Sequence, residues 1–170
     1  MLRKKILLLF ILLNSITICF SQEQKIKVYA FVAEECPVSI FMAASLKRVA
    51  ERYAGNAEFY LVFPMSTSDY ASAELFKKEN ELTEFSIKVD KYQTLTKKLG
   101  ALVTPEVIIT GAGETILYKG RINDAFTQPG KKKHSYSHDD LGDALAYISN
   151  GKQMPTPWKP AVGCFITIEK

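Results

Sequence analysis

Features that often decide a function class from sequence are scarce in this chain. Its 170 residues include three cysteines, two histidines and one tryptophan, and no internal repeat or low-complexity tract interrupts them. His134 and His138 have no further ligand at a spacing typical of metal sites, so no metal or other cofactor is predicted. There is also no composition break that would indicate a second domain, and the length suffices for one hydrophobic core.

A strong excess of basic charge is also missing once the N-terminus is considered. The 22 basic and 18 acidic residues give a net charge of +4, but Arg3, Lys4 and Lys5 lie in the first five positions. Without these three, 19 basic residues stand against 18 acidic ones, and the net charge is +1. This balance gives no electrostatic reason to expect a nucleic-acid partner.

The chain has no apolar run that predicts a membrane-spanning helix. The run Ile6–Ile18 is interrupted by Asn14 and Ser15, and it falls short of the roughly 20 apolar residues that such a helix needs. Basic residues before the run and the small Ser21 after it are typical of a cleaved export signal. We therefore expect residues 1–21 to be removed and the mature protein to be periplasmic or secreted, without stable membrane insertion. The alternative is a retained anchor.

Two cysteines would remain after this cleavage, because Cys19 lies within the removed segment. Cys36 and Cys164 are far apart in the sequence. In an oxidising compartment they form either a structural disulfide or a redox pair, and both interpretations stay open at this point.

Strand and helix patterns alternate along the chain. The expected strands are residues 25–33, 57–64 and 85–90, followed by a hairpin within 105–122; the expected helices are 37–53, 68–82, 91–100 and 137–152. Strands that alternate with helices indicate parallel β-α-β units, and the closing hairpin adds antiparallel strands. The pattern predicts an α/β sandwich with a mixed central sheet flanked by helices.

Cys36 stands between the first expected strand and the first expected helix. Pro37 follows it, and proline is favoured at the first position of a helix. The unpaired N–H groups and the dipole of a helix N-terminus stabilise a thiolate, so we expect a lowered pKa and a partly exposed sulfur. Glu34 and Glu35 oppose this effect. The alternative is an inert cysteine of the hydrophobic core.

Two stretches resemble motifs of the thioredoxin superfamily, and more closely its exported redoxin-like branches. FVAEECPVS resembles the family's strand-to-cysteine motif, with Cys36 at the attacking position, and LVTPEVIIT resembles its cis-proline loop. The resemblance implies a thioredoxin-like domain over residues 22–151. It also implies that Pro105 is the cis-proline, that the Thr104 backbone faces the thiol, and that this loop pairs with the backbone of a substrate.

The sequence departs from the family pattern in three places. Ser39 replaces the second cysteine of the CxxC motif, which leaves a single-cysteine CPVS. No buried acid precedes the motif, since Ala30 stands near that place. The proline and threonine that peroxiredoxins carry ahead of their cysteine are Tyr29 and Ala33 here, and this disfavours peroxidase chemistry.

The proline-rich C-terminal tail, residues 152–170, contains Cys164. An extended tail can return over the domain, and AVGC near the C-terminus is similar to tails of redoxin-like proteins with the same CPxS motif. Cys164 is therefore a candidate resolving cysteine, and the alternatives are a structural staple or a spare thiol. Gly163 would permit close backbone approach, and Trp158 is expected to anchor the tail.

A carboxylate near the thiol is the last candidate. Glu106 directly follows the expected cis-proline, and it is therefore a candidate for a carboxylate near Cys36.

The preferred hypothesis is an exported thiol–disulfide oxidoreductase. Its nucleophile, Cys36, would attack a disulfide of a protein or of a small molecule, and Cys164 or an external thiol reductant would resolve the product. The alternative is a non-catalytic module of the same fold that binds a soft metal or a partner protein through Cys36, together with Met42, Met65 or a histidine. The predicted site comprises Cys36, Ser39, Thr104, Pro105, Glu106 and Cys164.

Overall fold

A computed structural model of the chain describes residues 26–168. The predicted export signal, residues 1–21, lies outside this range. Between residues 26 and 168, no helix is long and apolar enough to cross a membrane.

The centre of the molecule is a five-stranded mixed sheet. Its strands are β1 (Ile26–Phe31), β2 (Ala57–Phe63), β3 (Phe85–Val89), β5 (Glu106–Thr110) and β6 (Ile116–Gly120). In the order β3-β2-β1-β5-β6, the first three strands are parallel, β5 is antiparallel to β1, and β6 is antiparallel to β5. This confirms the predicted mixed sheet, since the expected β-α-β units and the closing hairpin are both present.

Four α-helices connect or follow these strands: α1 (Pro37–Tyr53), α2 (Tyr70–Glu79), α3 (Thr94–Leu99) and α4 (Asp140–Ser149). Helix α2 begins at a capping box in which the Asp69 carboxylate accepts from the Ser72 N–H at 2.8 Å. The Asp139 carboxylate caps α4 by accepting from the Gly142 N–H at 3.4 Å, without a capping box. Helix α3 ends at Gly100, whose φ of +69° is a conformation that glycine adopts without a steric penalty.

The sheet is covered on both faces, which explains why β1 is apolar throughout its C-terminal half. Val28 and Ala30 point into the larger core cluster, together with apolar residues of α1, α2 and α4. Tyr29 and Phe31 point to the opposite face, where the smaller cluster includes Leu99 of α3. The alternation follows from the period of two in a strand.

Four short strands lie outside the predicted pattern. Strands β7 (Phe126–Gln128) and β8 (Lys131–Lys132) form a small antiparallel ribbon. Strands β4 (Val103–Thr104) and β9 (Cys164–Phe165) form a second antiparallel ribbon. The second ribbon joins the C-terminal tail to the loop that contains Pro105.

Candidate active site

Cys36 is the N-cap residue of α1, as the sequence predicted. Its backbone is extended, with φ −82° and ψ 112°, and Pro37 occupies the first helical position. The Cys36 carbonyl accepts from the Ile40 N–H at 3.1 Å, which closes the first turn. The sulfur therefore lies at the positive end of a 17-residue helix.

The loop that precedes β5 lies against this sulfur. The Cys36 thiol donates a hydrogen bond to the carbonyl oxygen of Thr104 at 3.1 Å, across 68 positions of sequence. The peptide bond between Thr104 and Pro105 is cis. The sequence resemblance implied both features of this loop.

Cys164 is the partner that the tail brings to Cys36. In the ribbon of β4 and β9, Thr104 pairs with Cys164 and Val103 with Phe165. The two cysteine sulfurs lie 2.6 Å apart, and both thiols are free. The tail thus occupies the edge of the cis-proline loop, and this edge is where the resemblance places the backbone of a substrate.

Cys36 is buried, with 3% of its surface exposed, so the expectation of a partly exposed sulfur was wrong. The reason is that β9 runs along β4 and places Cys164 against it. Cys164, in contrast, is exposed.

The tail is held along the domain by a series of contacts. The Trp158 ring packs on Tyr118, with ring centroids 5.9 Å apart. The Lys159 carbonyl accepts from the Arg121 N–H at 3.2 Å, and the Ile166 N–H donates to the Leu102 carbonyl at 2.9 Å. Ile166 also belongs to the smaller core cluster and is 6% exposed. Burial of such a side chain contributes about 1.5–3 kcal/mol, so the tail is an integral part of the fold.

Gly163 allows the tail to approach the loop. A Cβ at this position would lie 2.0 Å from the Thr104 carbonyl oxygen, a distance that no real contact permits. Residues other than glycine would therefore push β9 away from Thr104 and separate the two sulfurs.

The two thiols have opposite pKa shifts. Burial acts to raise the pKa of Cys36, but hydrogen bonds from Cys164 and from the backbone and hydroxyl of Ser39 outweigh it and lower the pKa below that of an ordinary thiol. Burial and the adjacent Cys36 raise the pKa of Cys164 to about 11. Cys36 is thus the first of the pair to lose its proton, and Cys164 can then donate to the Cys36 thiolate.

Ser39 is buried one turn into α1, on the side of the Cys36 sulfur. Its hydroxyl oxygen accepts from the Ala33 N–H at 3.3 Å. That bond leaves the hydroxyl proton free to donate to the thiolate, which is how its side chain lowers the Cys36 pKa. The residue that replaces the second cysteine therefore stabilises the charge on the first.

Glu106 is buried, as a functional acid would be, but its hydrogen bond is to the backbone of the loop before Pro105. Its carboxylate accepts from the Leu102 N–H at 2.7 Å. Burial raises its pKa despite this bond. Within residues 26–168, no hydrogen bond joins it to Cys36. Its observed contact holds the segment that carries β4.

A cavity of about 270 Å³ opens beside the two sulfurs. Its lining includes Cys36, Cys164, Glu34, Glu35, Met65, Thr67, Ser72 and Phe165. Glu34 accepts hydrogen bonds from Ser68 at 2.8 Å and from Ser72 at 2.6 Å, whereas Glu35 is exposed. Met65 was considered only as a metal ligand, and Thr67 and Ser72 were not among the predicted site residues, because their residue pattern does not differ from that of an ordinary helix cap.

The residues considered for a soft metal do not gather at the site. Met65 lines the cavity, but Met42 is buried in the core on helix α1. Among residues 26–168 there is no group of three or more histidine, cysteine and acidic side chains placed to hold a metal ion.

No family model and no curated protein matches the chain. Solved structures do match. A hypothetical protein from Sinorhizobium meliloti superposes with a TM-score of 0.74 at 23% identity, over 85% of this chain and 80% of that one. A secreted disulfide oxidoreductase of Mycobacterium tuberculosis superposes with a TM-score of 0.53 at 18% identity, over 74% of this chain and 84% of that one. A thioredoxin-like protein from Aeropyrum pernix superposes with a TM-score of 0.52 at 14% identity, over 76% of this chain and 80% of that one. These similarities establish the thioredoxin-like fold that the sequence predicted.

Proposed function

We propose that this thioredoxin-like protein is an exported thiol–disulfide oxidoreductase in which Cys36 is the nucleophile and Cys164 the resolving cysteine. The observation that carries the proposal is the 2.6 Å separation of the two sulfurs at the N-terminus of α1. A structural disulfide would not need a lowered pKa on one thiol, whereas a nucleophile does. The substrate is a disulfide of a protein or a small molecule.

The first step is attack by the Cys36 thiolate on one sulfur of the substrate disulfide. In the reduced protein β9 must move away from β4 for this attack, because Cys164 covers the Cys36 sulfur; the Cys36–Cys164 disulfide of the oxidised protein prevents that movement. A bond forms between Cys36 and that sulfur, the substrate S–S bond breaks, and the other substrate sulfur leaves as a thiolate that takes up a proton. The hydrogen bonds of Ser39 hold the thiolate before this attack.

The second step is resolution by Cys164. Once Cys36 is bonded to the substrate it no longer carries a charge, so two of the influences that raise the Cys164 pKa are removed. Cys164 then loses its proton and attacks the Cys36 sulfur. The second substrate thiolate leaves, and the enzyme ends with a Cys36–Cys164 disulfide after passing two electrons to the substrate.

The test combines mass spectrometry with turnover. We expect the oxidised protein, digested without reductant, to give a cross-linked peptide pair containing Cys36 and Cys164. Reduction of a model disulfide should fall to the uncatalysed rate in Cys36→Ser, whereas Cys164→Ser should accumulate a mixed disulfide on Cys36. Absence of the cross-linked pair, or unchanged turnover in Cys36→Ser, would refute the proposal and favour a binding module.

A further inference from the structure

The two cysteines differ in how an external thiol can reach them. Cys36 is 3% exposed and is covered by Cys164, whereas Cys164 is exposed on β9. Thr104, the loop residue in contact with Cys36, is itself 1% exposed and already paired with the tail. An incoming thiol therefore meets Cys164 first.

We propose that the disulfide of the oxidised enzyme is reduced by attack of an external thiol on Cys164, so that the recycling mixed disulfide forms on Cys164 and not on the nucleophile Cys36. This inference rests on the proposed function, because it concerns the return of the same Cys36–Cys164 disulfide to the dithiol state. The substrate side and the reductant side of the cycle then use different sulfurs.

The chemistry of the leaving group supports the same choice. Attack on Cys164 expels Cys36, whose thiolate is stabilised by Ser39 and by the helix N-terminus. Attack on Cys36 would expel Cys164, whose pKa is raised. The thiol of lower pKa leaves faster in thiol–disulfide exchange.

A dithiol can serve as the reductant in this step. One thiolate of the dithiol bonds to the Cys164 sulfur while the Cys36–Cys164 bond breaks and Cys36 leaves as a thiolate. The second thiol of the reductant then loses its proton and attacks the reductant sulfur that is bonded to Cys164. The reductant becomes a disulfide, Cys164 leaves as a thiolate and takes up a proton, and two electrons have passed to the enzyme.

The probe for this step is cysteamine, a monothiol small enough for the cavity of about 270 Å³ beside the sulfurs. Its positive charge also suits a cavity lined by Glu34 and Glu35. The oxidised full-length protein is mixed with excess cysteamine, quenched with acid within milliseconds to seconds, alkylated and mapped. Peptide mapping separates Cys19, Cys36 and Cys164.

We expect cysteamine on Cys164 and the alkyl group on Cys36, with at least about a tenfold excess over the reverse pattern. Cysteamine on Cys36 in equal or greater amount overturns the inference. The proposed function fails in a different way, because then no Cys36–Cys164 disulfide is present to be reduced.

A second measurement is needed if the mixed disulfide with cysteamine reacts further before it can be trapped. Ser39→Ala removes a hydrogen bond that stabilises the Cys36 thiolate, so it should slow reduction of the oxidised enzyme by cysteamine by about three- to tenfold if Cys36 is the leaving group. Ser86→Ala, at an exposed position on β3, is the matched control and should react at the wild-type rate. An unchanged rate in Ser39→Ala contradicts attack on Cys164.

Discussion

The two segments that meet at the sulfurs differ in what holds them. Cys36 is placed locally: it follows β1 by a few residues, caps α1, and owes its position to backbone hydrogen bonds within that turn. Cys164 is placed by distant contacts of a tail with little regular structure, chiefly through Trp158, Gly163 and Ile166. The position of Cys36 should therefore tolerate damage to the tail, whereas the pairing of the two sulfurs should not.

Gly163→Ala is expected to have the largest effect on this contrast. The added Cβ would lie 2.0 Å from the Thr104 carbonyl oxygen, so β9 must move and carry Cys164 away. Formation of the Cys36–Cys164 disulfide in a fixed redox buffer should slow by on the order of 100-fold, because the local concentration of the second thiol falls.

The control for this variant is Gly55→Ala, where a Cβ meets nothing within 4 Å. It should oxidise at the wild-type rate. If Gly163→Ala oxidises as fast as Gly55→Ala, the close approach of the tail is not what brings the sulfurs together.

Trp158→Ala should have the next largest effect, because it removes the aromatic contact with Tyr118 while leaving β9 intact. We expect a loss of about 2 kcal/mol in the free energy of unfolding, since the ring is only partly buried. Urea unfolding measures this loss, with Tyr92→Ala as the comparison because Tyr92 is 77% exposed. Equal losses in the two variants would mean that Trp158 does not anchor the tail.

Ser39→Ala should change the environment of Cys36 and leave the C-terminal tail intact. It removes a hydrogen bond to the thiolate, so the pKa of Cys36 should rise towards that of an ordinary thiol. The pH dependence of alkylation by iodoacetamide measures this shift. A midpoint that stays in place or falls would show that the hydroxyl does not stabilise the charge.

The same shift gives Cys36 a pH-dependent contribution to the stability of the reduced protein, opposite in sign to that of Cys164, whose pKa is raised. Because the folded pKa of Cys36 is below the unfolded value, its contribution is present above the unfolded pKa and is lost as the pH falls through the folded pKa. Ser39→Ala should show a smaller loss over that window in urea unfolding at a series of pH values.

Glu106→Gln is expected to have the smallest effect. The amide oxygen can still accept from the Leu102 N–H, so the loop that carries β4 should keep its position, and the free energy of unfolding should change by less than about 1 kcal/mol. Turnover should stay near the wild-type rate. A large fall in turnover at unchanged stability would show that the carboxylate acts in catalysis after all.

The sheet, its covering helices and the place of Cys36 can be predicted from the sequence, because they depend on local signals. Apolar alternation in β1 predicts a strand between two layers, and Pro37 after Cys36 predicts a helix that begins beside a thiol. The motif around Thr104 and Pro105 resembled a loop that faces this thiol, and the structure places it there.

The covering of Cys36 by the tail, in contrast, depends on contacts between segments that are remote in sequence. The tail has no apolar period, so neither its pairing with β4 nor the burial of Cys36 beneath it can be read from spacing. Distances between segments that are remote in sequence also decide the chemistry of the site. They set the opposite pKa shifts of the two cysteines, the role of Ser39 as a donor and the hydrogen bond of Glu106 to Leu102. Such distances are set by packing, and packing depends on the whole chain at once.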